Sequence, residues 1–378
     1  MALKRPLVLL CLLIVTLLAP AAAQELRIGV VIPQASAEAQ AATEAFVRRL
    51  TLSPSPALRG IEVLVRRTAA GAEAAMTAAV ELVTEQGVHA LVCCTEESAS
   101  AAVVQLAETE QVLVMSPRGR ADDAEAPRLA VTLSPSQLSV FRAIAIGASH
   151  QGGGIGMLVP DGPTGDAAEE ALRAGALEAG IAVTRVEQFA AGTSPLTPEA
   201  LLVATSLPSS VVVWANGYDS RNAVDALRAR GFDGPVWLRY PEAAGLADGF
   251  PVGQLQFVVP PVLLATGGGA DPRNHAAVSS YRAAASGGLV GGGTGLEGAL
   301  VHDALSLVLA AFEQALAYGV SPQNTAQFRQ AVADGLLSAG TVPLAAGTYR
   351  FDGERGALAQ PAGLIPASGR GGRFVNLQ

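Results

Sequence analysis

Leu26-Arg27-Ile28-Gly29-Val30-Val31-Ile32-Pro33 is a run of β-branched and aliphatic residues with almost no polar alternation, and its reading decides the fold. A strand that is apolar on both faces is buried on both, the condition of a parallel sheet covered by helices. Similar segments return at 61–66, 90–92 and 112–115. The stretches between them, 39–50, 72–86 and 98–108, are alanine-rich with apolar positions at helical spacing. Strands alternating with helices predict an α/β unit. After low periodicity at 122–135 the pattern restarts. Helices at 137–148, 165–179, 198–206 and 220–230 alternate with strands at 154–159, 181–186, 210–214 and 235–238, and a strand at 255–259 leads to a turn at Pro260 and Pro261. Two such series predict an α/β protein of two doubly wound parallel-sheet lobes.

Beyond a glycine-rich stretch, 296–318 places Val301, Leu305, Val308, Phe312 and Leu316 on one helical face. Asp303, Glu313 and Gln314 interrupt it, so the expectation is a long helix packed on a sheet and not a membrane span. A helix at 323–336 follows, with short strands and turns from Thr348. The glycine clusters at 267–269, 287–288 and 291–293 read as surface loops, and no repeat of fixed period is present.

The chain begins with Lys4 and Arg5, an apolar run from Leu7 to Leu18, and small residues at Ala21 and Ala23. This is the layout of a secretory signal peptide over 1–23, cleaved after Ala23. The apolar run is shorter than the ~20 residues a bilayer span needs, so the mature protein is expected not to span a membrane. Cys11 reads as hydrophobic filler within that run. The formal net charge is −8, and losing Lys4 and Arg5 makes the remainder more acidic. An acidic chain without a basic stripe is unsuited to nucleic acid or an anionic membrane surface. Cys93 and Cys94 are neighbours, so they cannot close a long loop. A vicinal disulfide and a pair of thiols both remain open, the thiols favoured by cysteine's habit of being buried.

No catalytic constellation emerges. Gly293, Gly295 and Gly298 spell G-x-G-x-x-G ahead of a helix, but a dinucleotide-binding turn requires a strand directly before it. A phosphate-binding lysine loop and a G-x-S-x-G elbow are absent. His89, His150, His275 and His302 have no partner at metal-ligand spacing, and His302 and Asp303 are expected to point to different faces of their helix. Glu96 and Glu97 fit the first turn of a helix, where negative charge is favourable. The expectation is a non-enzymatic binding protein with no metal and no cofactor.

Several stretches, in order, carry a resemblance: the export signal, 26–33, 88–100 followed by 112–117, 156–165 (Gly-Met-Leu-Val-Pro-Asp-Gly-Pro-Thr-Gly), 211–217, Pro241-Glu242, and Tyr349-Arg350-Phe351-Asp352-Gly353. Together they resemble the leucine/isoleucine/valine-binding class of type I periplasmic solute-binding proteins, across essentially the whole mature chain. The resemblance implies two lobes joined by three crossover segments, near 134–137, 260–261 and 340–343. The N-terminal lobe would hold 24–136 and 262–340, the C-terminal lobe 137–261 and 341–378. It also implies a periplasmic monomer that closes on a small molecule and delivers it to an ABC transporter permease with its ATPase. A ligand-sensing or accessory envelope protein, acting through a protein partner on the same fold, is the alternative role.

Open parallel sheets bind ligands beyond the carboxyl ends of their strands. With the resemblance, this selects Gln34, Cys93, Cys94, Thr95, Arg118, Gly119, Arg120, Thr164, Trp214, Tyr218, Tyr240 and Glu242 as ligand-binding candidates. Helices begin just after several of them, so backbone N–H groups can grip an anion. The expected ligand is a small carboxylate, an amino acid or a related organic acid. Arg120, with Arg118 in reserve, would fork the carboxylate, and Glu242 matches the family's ammonium-binding acid. Were Glu242 to pair with Arg239 or Arg120 instead in the closed form, the ammonium site would be lost and a plain organic acid or an uncharged ligand favoured. Family members often carry serine and threonine where this chain has Cys93, Cys94 and Thr95, and an aromatic where it has Thr164. These departures argue against specificity for a branched-chain amino acid.

Overall fold

The computed structural model describes residues 26–53, 60–118, 128–240, 242–251, 253–264, 272–286, 295–351, 365–370 and 373–376. The apolar runs take extended backbone and pair, and the alanine-rich segments coil onto the faces of the sheet they form. The first series comprises β1 (Leu26–Pro33), α1 (Ala37–Thr51), β2 (Ile61–Thr68), α2 (Ala72–Val80), β3 (Ala90–Val92), α3 (Glu97–Val103), α4 (Leu106–Thr109), β4 (Leu113–Ser116) and β5 (Ala130–Thr132). Its strands lie in the order β2-β1-β3-β4-β5, every pair parallel. All of β1 except Arg27 and Pro33 is buried, as the unbroken apolar run requires.

The second series comprises α5 (Gln137–Ser149), β6 (Ile155–Pro160), α6 (Pro163–Ala179), β7 (Val183–Phe189), α7 (Thr197–Thr205), β8 (Ser210–Val213), α8 (Gly217–Ala229), β9 (Val236–Leu238) and β10 (Leu255–Val259). Then follow α9 (Pro272–Ser286), α10 (Leu296–Ala317), α11 (Thr325–Leu337), β11 (Thr341–Pro343), β12 (Thr348–Arg350), β13 (Ile365–Arg370) and β14 (Arg373–Asn376). The second sheet runs β14-β13-β10-β9-β8-β6-β7, with the last five strands parallel and the β13–β14 hairpin antiparallel at one edge. The protein is thus two α/β lobes of five parallel strands each.

Several helices start on side-chain caps. Ser36 accepts the Ala39 N–H, Ser136 the Ser139 N–H and Asn216 the Asp219 N–H. Where α6 begins, a Cβ on residue 165 would overlap the carbonyl oxygen of Pro160, so only glycine lets the strand turn this tightly into the helix.

The helix expected at 98–108 breaks into α3 and α4. The sequence reading also missed α9 and β5. Of the described helices, α10 alone is long and apolar enough to cross a membrane; it is mostly buried, packed against α1 and α11 as the spine of the first lobe.

Leu133 belongs to the first lobe's core and Phe141 to the second's. Further on, Val262 is buried in the first core and Leu264 in the second, while Leu263 touches both, so the chain changes lobes through 262–264. Arg282 of α9 donates to the carbonyls of Val262 and Leu264, both at 2.8 Å. The third crossing lies later than the expected 340–343. Ala345, Ala346, Tyr349 and Phe351 are in the first lobe's core, so 341–351 stays with that lobe, and of the described residues beyond it β13 and β14 join the second. The reason is an anchor on α10. Asp303 accepts the Ala345 N–H at 3.1 Å, the Ala346 N–H at 2.7 Å and the Tyr349 hydroxyl at 3.3 Å. Asn274 Nδ2 adds bonds to the carbonyls of Leu344 and Gly347. His302, expected to face away from Asp303, has its Nδ1 3.6 Å from Asp303 Oδ1, but that carboxylate is already committed to the hairpin.

Two more buried groups tie the late helices to the first sheet. Arg329 of α11 donates to the carbonyls of Val83, Val88 and Glu110. His89 accepts the Arg27 N–H on Nδ1 at 3.1 Å, which leaves Nε2 to donate to the Pro322 carbonyl at 3.1 Å. Burial pushes its pKa down from the ordinary histidine value, with the charges of Arg329 and Arg27 adding to the effect.

Candidate ligand-binding cleft

Both sheets end, at the carboxyl side of their strands, in loops that carry most of the selected residues. In the first lobe Gln34 follows β1 and is exposed, its backbone tied to the Thr68 carbonyl and the Gln40 side chain. Cys93, Cys94 and Thr95 follow β3 and are buried. The two sulfurs are joined as a vicinal disulfide across a cis peptide bond, the second of the two states left open by the sequence. The Cys94 carbonyl accepts the Arg118 N–H and the Ser100 hydroxyl, both at 3.2 Å, and that hydroxyl also reaches the Arg118 carbonyl. The loops after β3 and β4 are therefore fastened to each other, which fixes the backbone of Arg118. Its half-buried side chain makes no hydrogen bond or ion pair among the described residues. Gly119 and Arg120 lie outside the described residues.

In the second lobe Thr164 is exposed in the first turn of α6, and Tyr218 is exposed in the first turn of α8. Trp214, just past β8, is buried against Phe141 with ring centroids 4.5 Å apart, and the Arg239 guanidinium lies 5.6 Å from its ring centre. Tyr240 sets its ring edge-on to Phe374. Burial raises the Tyr240 phenol to about 12, with Glu38 and Glu242 pushing it up and Arg118 opposing them. Glu38 and Arg118 belong to the first lobe, so the two lobes face each other at this phenol. Glu242 pairs with Arg239 at 3.2 Å. This is one of the two pairings that, kept in the closed form, would remove the expected ammonium site. A Cβ on Gly217 would come within 2.7 Å of the Glu242 carbonyl oxygen, and this glycine lets the turn bearing Glu242 pack close to α8.

One residue that sequence reasoning did not select, Glu38, and two that lay in its strand-end stretches, Ser116 and Arg239, belong to the same region. Glu38, in the first turn of α1, accepts the Gly298 N–H at 3.3 Å and so occupies the start of α10. Burial raises its pKa, the Gly298 bond lowers it, and neighbouring Glu297 raises it further. The anion at the helix start that follows Gly295 is thus the chain's own carboxylate. Ser116, the last residue of β4, has a fully buried hydroxyl with no partner, and the Trp214 indole N–H is in the same condition. Arg239 is the third. Ser116 and Arg239 sit at the ends of β4 and β9, which was their signal in the sequence, whereas Glu38, in the helix after β1, carried none. Among the described residues no group of three or more His, Cys, Asp or Glu is placed to hold a metal ion. A hollow of about 320 Å³ lined by Ile32, Thr43, Val47 and Val65 lies between α1 and β2, away from these groups.

Two parallel-sheet lobes that meet at the carboxyl ends of their strands define a bilobal binding protein. The periplasmic binding protein family model matches residues 25–372, and the chain belongs to that family. Among solved structures, the ABC transporter substrate-binding protein from Desulfitobacterium hafniense in complex with Leu shares 18% identity over 93% of this chain and 100% of that one, with a TM-score of 0.73. A putative branched-chain amino acid ABC transporter from Rhodospirillum rubrum shares 20% over 93% and 100%, at 0.72. The substrate-binding protein LivJ from Streptococcus pneumoniae, in complex with isoleucine, shares 17% over 93% and 97%, at 0.65. At these identities the likeness establishes the fold. No curated protein matches the chain.

Proposed function

We propose that this chain is the exported solute-binding component of an ABC importer, closing its lobes on a small carboxylate and presenting it to a permease. Residues 1–23 serve as the export signal, the mature protein is a periplasmic monomer, and the lobes divide near residues 135 and 262 with the last crossing after Phe351. Arg118 carries the reading. It stands at the carboxyl edge of the first sheet, its charge reaches Tyr240 of the other lobe, and its guanidinium is uncommitted among the described residues. A guanidinium in that position can hold a carboxylate through two parallel hydrogen bonds. Arg120 is the second candidate clamp. The test is a thermal-shift screen of the mature protein against organic and amino acids. Ligand at 100 times its Kd should stabilise the native state by about 2.7 kcal/mol, and Arg118→Ala should remove the shift. No shift with any acid, together with co-purification of an envelope protein, would move the reading to the accessory role.

A further inference from the structure

We infer that the ligand carries a carboxylate but no ammonium group, so that this cleft selects organic acids over the amino acids of the same carbon skeleton. The inference rests on the solute-binding reading above and narrows it.

Four described charges border Tyr240: Glu38 and Arg118 from the first lobe, Arg239 and Glu242 from the second. Each acid already has a counterpart. Glu242 is matched by Arg239 at 3.2 Å, and that arginine is further held by the indole of Trp214 beneath it. Glu38 is matched by the Gly298 N–H at the positive end of α10. Of the four, Arg118 is the one that has no hydrogen-bond or ion-pair partner for its side chain among the described residues. An ammonium arriving at Glu242 would meet a carboxylate already neutralised and a guanidinium a few ångströms away, and like charges at that separation repel strongly in a half-buried setting. A guanidinium without an ion-pair partner suits a ligand that brings a carboxylate, such as a 2-oxo acid, while the acid that would take an ammonium group is already paired.

Calorimetry on the mature protein decides the matter with matched pairs: L-leucine against 4-methyl-2-oxopentanoate and 4-methylpentanoate, L-phenylalanine against phenylpyruvate and 3-phenylpropanoate. The expected result is that in at least one set an acid without ammonium binds ten times or more tighter than its amino acid. Arg239→Ala, which frees Glu242, should narrow that preference by at least tenfold. Glu242→Gln should leave acid binding unchanged or tighter, and this second variant serves if Arg239→Ala fails to fold. Amino acids binding as tightly as their acids, with both lost in Arg118→Ala, would overturn the inference and leave the carboxylate reading standing. A tenfold loss of acid binding in Glu242→Gln would also overturn it. If no member of any set binds, the inference and the carboxylate reading fall together.

Discussion

Arg329 in the first lobe and Arg228 in the second do the same chemistry over different lengths of chain. Each is a guanidinium whose pKa is lowered by burial and which donates to three backbone carbonyls, although the Nε of Arg228 is left without a partner among the described residues. Arg228 donates to Phe232, Gly234 and Gln254, all within the next βα unit. Arg329 donates to Val83, Val88 and Glu110, joining a helix near the end of the chain to loops laid down near its start. Asp303, Asn274 and His89 add further long-range or hairpin-holding bonds in the same lobe. The second lobe is built mainly from one contiguous series of βα units, whose contacts close short loops. The first is assembled from two distant segments, and closing a long loop costs entropy that specific anchors must offset. Buried polar groups have collected where the chain is discontinuous.

The strongest way to break this comparison is to remove both arginines in turn. Arg329→Met leaves two buried carbonyls and a part-buried one without this donor and should destabilise the first lobe by about 3–4 kcal/mol, while Arg228→Met, whose carbonyl partners are all in part-buried bonds, should cost about 1–2 kcal/mol in the second. Calorimetry that resolves the two lobes as separate transitions reads both values, and equal costs would remove the contrast. A weaker effect sharpens it through pH. Because the folded state holds His89 neutral, the unfolded chain takes up a proton more readily below its ordinary pKa of about 6.5, so the first lobe should lose stability as pH falls through that value. The slope from this one group is at most about 1.4 kcal/mol per pH unit, and His89→Gln should flatten it between pH 7 and 5 in a melting series. The smallest effect is expected in the second lobe. Ser210 has a buried hydroxyl with no partner, so Ser210→Ala should change stability by no more than about 1 kcal/mol and in the favourable direction, by urea titration.

The alternation of apolar strands and alanine-rich helices was legible because hydrophobic periodicity is a local property, and it carried both sheets and the spine helix. Helix α9 was not, since its alanines and serines give no apolar stripe and glycine clusters surround it. Strand β5 was too short to stand out. The candidate site was legible to the extent that strand ends can be found from sequence, which located Arg118, Trp214, Tyr240 and Glu242. Which charges pair is a matter of geometry a few ångströms wide. The union of Arg239 with Glu242 could be named only as one of two outcomes, and the burial of the Glu38 carboxylate at the start of α10 left no trace in the residues nearby.

The late hairpin β13–β14 completes the second sheet, and α9, α10 and α11 complete the first. The first lobe therefore cannot close its core until those late helices have been made, whereas the five parallel strands of the second lie within one contiguous stretch and await only an edge. A lobe wired in this way waits on its last helices, while its neighbour can assemble as its units are made.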